Sequence, residues 1–151
     1  MTGKSVVAYT TTIDPMKTAT ECIALLAKRG ATDIGMSSDG DGTPTGLMFA
    51  VATKWGRRQF TVPVDLARTE RTLKESVKRG KIAPRYGTPE QSRRVAWRVV
   101  YHWLEAQMSL VEIGAQDLED AMIGYINVDH GKTLAQAYGE QQLAIEAGRS
   151  A

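Results

Sequence analysis

The residues that most often carry chemistry are scarce in this chain. Its 151 residues include one cysteine, Cys22, and two histidines, His102 and His130. A single cysteine excludes an internal disulfide framework and a structural zinc site of several thiolates. Two histidines far apart in sequence leave little for metal chemistry, so neither a metal nor a cofactor is expected. No uncharged apolar run approaches the ~20 residues that a membrane span needs. The opening residues, Met1 to Ser5, lead into a short apolar stretch without the look of a cleaved signal, so a cytoplasmic protein is expected. What is present is ordinary for a globular chain: 42% hydrophobic and 24% charged residues, at a length that can bury a real core.

Complete catalytic motifs are missing as well. His130, Gly131, Lys132 and Thr133 end like a phosphate-binding loop, but Ile126 stands where its first glycine belongs. A turn closing on a helix cap at Thr133 is the expectation. Asp39, Gly40, Asp41, Gly42 and Thr43 resemble the start of a calcium loop, but Ala50 falls where the bidentate glutamate is needed. A hairpin turn is expected there. His102, between Tyr101 and Trp103, is expected to be satisfied and partly buried. Cys22, beside Ile23, is expected to be a small core residue rather than a nucleophile. No general acid, base and nucleophile converge, and the chain is expected not to be an enzyme.

The charge distribution is the feature that stands out. Residues 1–53 carry four bases and five acids. Residues 54–98 carry thirteen bases against four acids, and residues 99–151 two bases against eight acids. A basic middle followed by an acidic tail has two readings. The middle is a site for a phosphate-bearing ligand, or the tail neutralises it, within the fold or across a subunit contact.

Residues 5–13 (SVVAYTTTI) are rich in β-branched side chains and predict a strand. Asp14 and Pro15 predict a helix start, and Gly30 its stop. Residues 32–38 and 45–53 predict two further strands, the latter apolar on both faces and therefore central. A hairpin turn at Lys54, Trp55, Gly56 and Arg57 leads to a strand over 59–64, which Pro63 places at an edge or ends. Asp65 opens a helix with Leu66, Leu73 and Val77 on one side and Arg68, Arg71, Lys74 and Lys78 broadly opposite, ending at Gly80.

Thr88, Pro89, Glu90 and Gln91 spell a capping box for a helix running to about Ile113. Its apolar residues Trp97, Tyr101, Leu104, Met108 and Val111 step by four, three, four, three. Such a heptad-like seam predicts a homo-oligomer through the helix of residues 88–113. A shorter helix over 117–126, a turn over 127–131 and an amphipathic helix over 133–147 complete the chain. The expected fold class is α+β: an antiparallel-rich sheet of about four strands with two helices in residues 1–80, then a helical extension in residues 81–151 with one long helix.

Two places in the basic middle suit an anionic ligand. The turn Lys54, Trp55, Gly56, Arg57, Arg58 sets an aromatic ring between cations, able to stack a base and hold phosphate; the plainer reading is a turn whose tryptophan covers a sheet edge. Arg85 and Tyr86 precede the long helix, whose first turns carry Arg93 and Arg94 and whose free N–H groups favour anions; the plainer reading is a solvated helix start paired with the acidic tail. The candidate binding residues are thus Trp55, Arg57, Arg58, Arg85, Tyr86, Arg93 and Arg94, joined in one site.

Residues 22–31 (CIALLAKRGA), 60–65 (FTVPVD), 96–114 (AWRVVYHWLEAQMSLVEIG) and 128–138 (VDHGKTLAQAY) resemble a widespread group of small uncharacterised phage and prophage accessory proteins. The resemblance implies an accessory protein acting in the host cell and no specific chemistry. Three functions are carried forward: a non-enzymatic binder of a small phosphorylated ligand, such as a sponge for a host nucleotide signal; a DNA- or RNA-binding protein of phage replication or recombination; and a protein–protein inhibitor of a host factor.

Overall fold

A computed structural model describes residues 6–129 and 131–150. Helix α1 spans Pro15–Lys28, where Asp14 caps the first turn by accepting a hydrogen bond from the Met16 N–H at 2.8 Å. Gly30, at φ +98°, provides the left-handed turn that releases the chain into the sheet. Strands β1 (Thr32–Ser38), β2 (Pro44–Thr53) and β3 (Gly56–Thr61) then form an antiparallel meander in the order β1-β2-β3. Met36 faces Leu47, and Val51 faces Arg58. Helix α2 spans Leu66–Lys78 with Asp65 as its cap, and α3 spans Pro89–Glu112. A short helix α4 (Leu118–Ala121) and a ribbon of β4 (Asn127–Asp129) and β5 (Lys132–Thr133) lead into α5 (Leu134–Ser150).

The α+β class stands, with three strands in the main sheet and two in the ribbon. The ribbon is not detached. Phe60 bridges Ile126, and the Thr61 hydroxyl donates to Asn127 at 2.9 Å, so the C-terminal segment shields the β3 edge.

One face of the sheet makes the core. Leu47, Phe49 and Val51 alternate inward along β2, while Met48 and Ala52 are exposed on the other face and Ala50 between them is buried. Against the inward face pack Cys22 and Leu26 of α1 and Trp97, Leu104 and Met108 of α3. The Phe49 and Phe60 rings stack at 5.2 Å, and the buried Trp97 indole donates to the Pro44 carbonyl at 2.8 Å. Residues on both sides of position 80 thus share one hydrophobic cluster. The seam read as an oligomer contact is spent here: Trp97, Leu104 and Met108 are buried within a single chain, covered by α1, the sheet and α4.

The strand predicted for 5–13 does not form. Ser5 lies outside the described residues. Residues 7–10 are a turn, closed by Tyr9 N–H to the Val6 carbonyl and Thr11 N–H to the Ala8 carbonyl, with Ala8 at φ +62°. The carbonyls of Tyr9 and Thr11 accept from the Gln91 side-chain amide at 2.8 and 2.9 Å. β-Branched composition marked a segment able to extend, but among the described residues it pairs with no strand. It lies instead as a strap over a second cluster, Leu73 of α2 with Ile82 and Val95, which Val6 and Tyr9 help to cover.

Candidate functional site

The β2–β3 turn is built as expected. The Thr53 hydroxyl donates to the Gly56 carbonyl at 2.6 Å and accepts from the Trp55 N–H at 3.1 Å, and Gly56 adopts φ +102°. Trp55 stands 67% exposed at the tip, with the Lys54 ammonium 5.3 Å from its ring centroid. It covers no sheet edge. The cations are less free than the sequence suggests. Arg57 is paired with Asp33 of β1, and Arg58 donates to the Arg57 carbonyl at 3.2 Å.

At the start of α3, a single turn of tight helix (Pro84–Tyr86) sets Arg85 on its own neighbour. The guanidinium lies 4.6 Å from the Tyr86 ring centroid and donates to the Tyr86 hydroxyl at 2.8 Å. Tyr9 meets Tyr86 edge to face at 5.2 Å. Thr88 caps the helix by accepting from the Gln91 N–H at 3.1 Å. The reciprocal half of the expected box is absent, because the Gln91 side chain is turned to the strap and to Arg94, whose guanidinium donates to it at 3.1 Å. Arg93, half-buried, has no hydrogen bond or ion pair among the described residues.

These two clusters do not meet. Arg29, just past α1, pairs with Glu112 at the C-terminal end of α3, and Arg57 pairs with Asp33 a few residues on. Thr53 and Lys54 share a surface cleft with Asp117 and Glu119, which follow α3. The Trp55 turn therefore lies at the C-terminal end of α3, whereas Arg85 and Tyr86 lie at its beginning. The 24 residues between span ~36 Å at 1.5 Å per residue. The single combined site expected from the sequence is corrected to two separate clusters.

The acidic tail leaves the basic middle largely alone. Among the described residues, the ion pairs of residues 54–98 end on Asp33, on Glu21, or on the segment's own Asp65, Glu70 and Glu75. Of the acids after position 99, Glu112 on Arg29 and Asp117 and Glu119 beside Lys54 lie at the far end of α3, while Glu140 pairs with Lys132 at 2.8 Å. The Glu140 hydrogen bond pushes the Lys132 ammonium above its usual range.

The strongest cationic surface is one that sequence reasoning took for a solvated helix face. Arg68, Arg71, Lys74, Lys78 and Arg79 are all exposed on the outward side of α2 and its C-terminal cap, while Leu73 is fully buried on the inward side. Lys74 pairs with Glu70 and Arg79 with Glu75. Arg71, Lys78 and Lys81 have no ion pair among the described residues. An open groove of about 510 Å³ runs along this face, lined by Val6, Arg71, Thr72, Glu75, Ser76, Arg79 and Lys81. The signal in the sequence was the density of bases over 68–81, more than any single motif.

The remaining candidates are structural. Burial in the α1–α3 interface pushes the Cys22 thiol up to about 12, so it is no nucleophile. His102, expected to be partly buried, is exposed with its ring 5.7 Å from that of Tyr101. Asp39 accepts from the Asp41 and Thr43 N–H groups, both at 2.9 Å, so it fills its hairpin turn with its own backbone. His130 lies outside the described residues; Thr133 caps α5 in a reciprocal pair with Gln136. Among the described residues no three His, Cys, Asp or Glu side chains cluster to hold a metal, and no helix is long and apolar enough to cross a membrane. Comparison of the chain with protein-family models, curated proteins and solved structures finds no match.

Proposed function

We propose that the chain is a non-enzymatic accessory protein that binds nucleic acid through the outward face of α2 and the segment that follows it. The observation that carries this reading is the set of bases on that face, Arg71, Lys78 and Lys81, that make no ion pair among the described residues. Arg71 and Lys81 line the same open groove as Arg79, with Lys78 on the same helix. Cations spread along an open surface suit a ligand with many phosphates, since each added contact releases a counterion. A sponge for a small nucleotide needs a closed pocket in which arginines and aromatics converge, and the Trp55 and Tyr86 clusters stand at opposite ends of α3. Three of the acids that would repel a polyanion, Glu112, Asp117 and Glu119, lie at the other end of α3. The resemblance to phage accessory proteins supports action in the cytoplasm of a host cell.

Fluorescence anisotropy with a labelled oligonucleotide, repeated over a salt series, tests the reading. Binding that weakens steeply with salt is expected, together with none to cyclic dinucleotides or ADP-ribose isomers. Tight binding of one of those small molecules, with no binding of the oligonucleotide, would overturn it in favour of the sponge.

A further inference from the structure

We infer that the ligand of the α2 face is duplex DNA, with α2 lying along the major groove; this rests on the nucleic-acid reading above. The shape of the face carries the inference. One side of α2 is packed, by the buried Leu73 and the half-buried Leu66, Thr69, Glu70, Ser76 and Val77. The rest of its circumference is open. Around that open side, cations stand on both flanks: Lys74, paired with Glu70, and the unpaired Lys78 on one, Arg68 and Arg79, paired with Asp65 and Glu75, on the other. Arg71 and Glu75 lie between them, both exposed. An α-helix with its side chains is ~10–12 Å across, and the major groove of B-form DNA is ~12 Å wide. Flanking cations then meet the two phosphate rims, and the central side chains face base edges.

The aromatic residues point the same way. Single strands are held on free aromatic faces that stack unpaired bases. The aromatic nearest this face, Tyr86, is already engaged, under the Arg85 guanidinium at 4.6 Å and against Tyr9 at 5.2 Å. Of the exposed tryptophan and tyrosine rings among the described residues, Trp55 stands at the other end of α3 and Tyr138 lies on α5, neither of them on α2 or the segment that follows it. The basic face therefore offers phosphate contacts without a stacking platform. Double-stranded RNA is disfavoured too, because its A-form major groove is deep and too narrow for side chains to read.

The test compares three probes on the full chain: a DNA duplex of roughly two helical turns, one of its strands alone, and the same duplex in RNA. The duplex DNA should bind about tenfold tighter than either other probe. Arg71→Glu with Lys78→Glu should weaken it by at least about tenfold and flatten the salt slope by at least about one phosphate's worth, that of Lys78. Trp55→Ala should leave it unchanged, and circular dichroism should show both variants folded. Equal or tighter binding of the single strand overturns the duplex assignment, as does a loss with Trp55→Ala matching that with the charge reversal. Equal binding of duplex RNA overturns the placement in the major groove. Absence of binding to all three overturns the nucleic-acid reading itself, and this inference with it.

Discussion

Helices α3 and α5 begin with the same four-residue pattern and share little else. Thr88 and Gln91 open one, Thr133 and Gln136 the other. In α5 the box closes in both directions: the Gln136 N–H donates to the Thr133 hydroxyl at 3.3 Å, and the Thr133 N–H donates to the Gln136 side chain at 2.9 Å. In α3 the threonine half forms and the glutamine is diverted 80 residues away, to the strap. Yet α3 holds the core, whereas none of the described α5 residues is buried, with Tyr138 62% and Leu143 72% exposed. A cap decides where a helix starts. What the helix buries decides how much it stabilises the fold, because short helices are marginal in water without packing.

The comparison is broken most forcefully in the core. Leu104→Ala should destabilise the protein by about 2–5 kcal/mol, as large-to-small changes at fully buried sites do. Leu143→Ala should stay within about 0.5 kcal/mol. Urea unfolding of both variants checks the contrast. Leu104→Glu is expected to unfold the chain rather than separate subunits, read by circular dichroism alongside light scattering.

The two glutamines come next. Gln91→Ala leaves the Tyr9 and Thr11 carbonyls and Arg94 without their partner, and should cost about 1–3 kcal/mol. Gln136→Ala removes one half of a surface cap and should cost less than about 1 kcal/mol. Hydrogen exchange should show the strap over 6–13 opening in the first variant and unchanged in the second.

The subtlest handle is Cys22, which reports on the α1–α3 contact from inside. Its thiol is held protonated up to about 12 in the folded chain, against 9.0 for an exposed thiol. Between those values the unfolded state loses a proton that the folded state keeps. The stability this group contributes is therefore complete below pH 9.0 and declines as pH rises toward about 12. Cys22→Ala should flatten that decline in a pH series of unfolding curves. Native chain at neutral pH should resist thiol reagents, and denaturant should release the reactivity.

Much of the local architecture was legible because its signals are local. Asp14 before Pro15, Asp65 before Leu66, Thr88 before Pro89 and the glycines at 30, 80 and 114 mark boundaries that the structure keeps within a residue or two. What the sequence hid was partnership. Residues 7–11 carry the composition of a strand, but the hydrogen bonds that would make one belong to Gln91. The seam of α3 announced an apolar face without saying that α1 and β2 cover it. Arg57 and Arg85 looked free because Asp33 and the Tyr86 ring lie beside them only in space or rotamer. The Trp55 and Tyr86 clusters were joined on chemistry, and the length of α3 separates them. On α2, the residues opposite Leu73 were identified as a face but read as solvent-facing, since nothing in a helical period distinguishes a solvated charge from a binding one.

The long ties across the molecule bear on the order in which it is made. Trp97 reaches Pro44, Thr61 reaches Asn127, and Gln91 reaches Tyr9 across 82 positions. The meander of β1–β3 emerges from the ribosome well before α3, so its inward face has α1 but not Trp97, Leu104 or Met108 to cover it. At ~5–20 residues per second, the pause lasts several seconds. During it the nascent chain exposes Leu47, Phe49 and Phe60 with only the fold's first helix for company. Conditions that slow translation between β3 and α3 should therefore raise the demand for chaperones, and the yield of soluble protein should depend on how quickly that one helix is delivered.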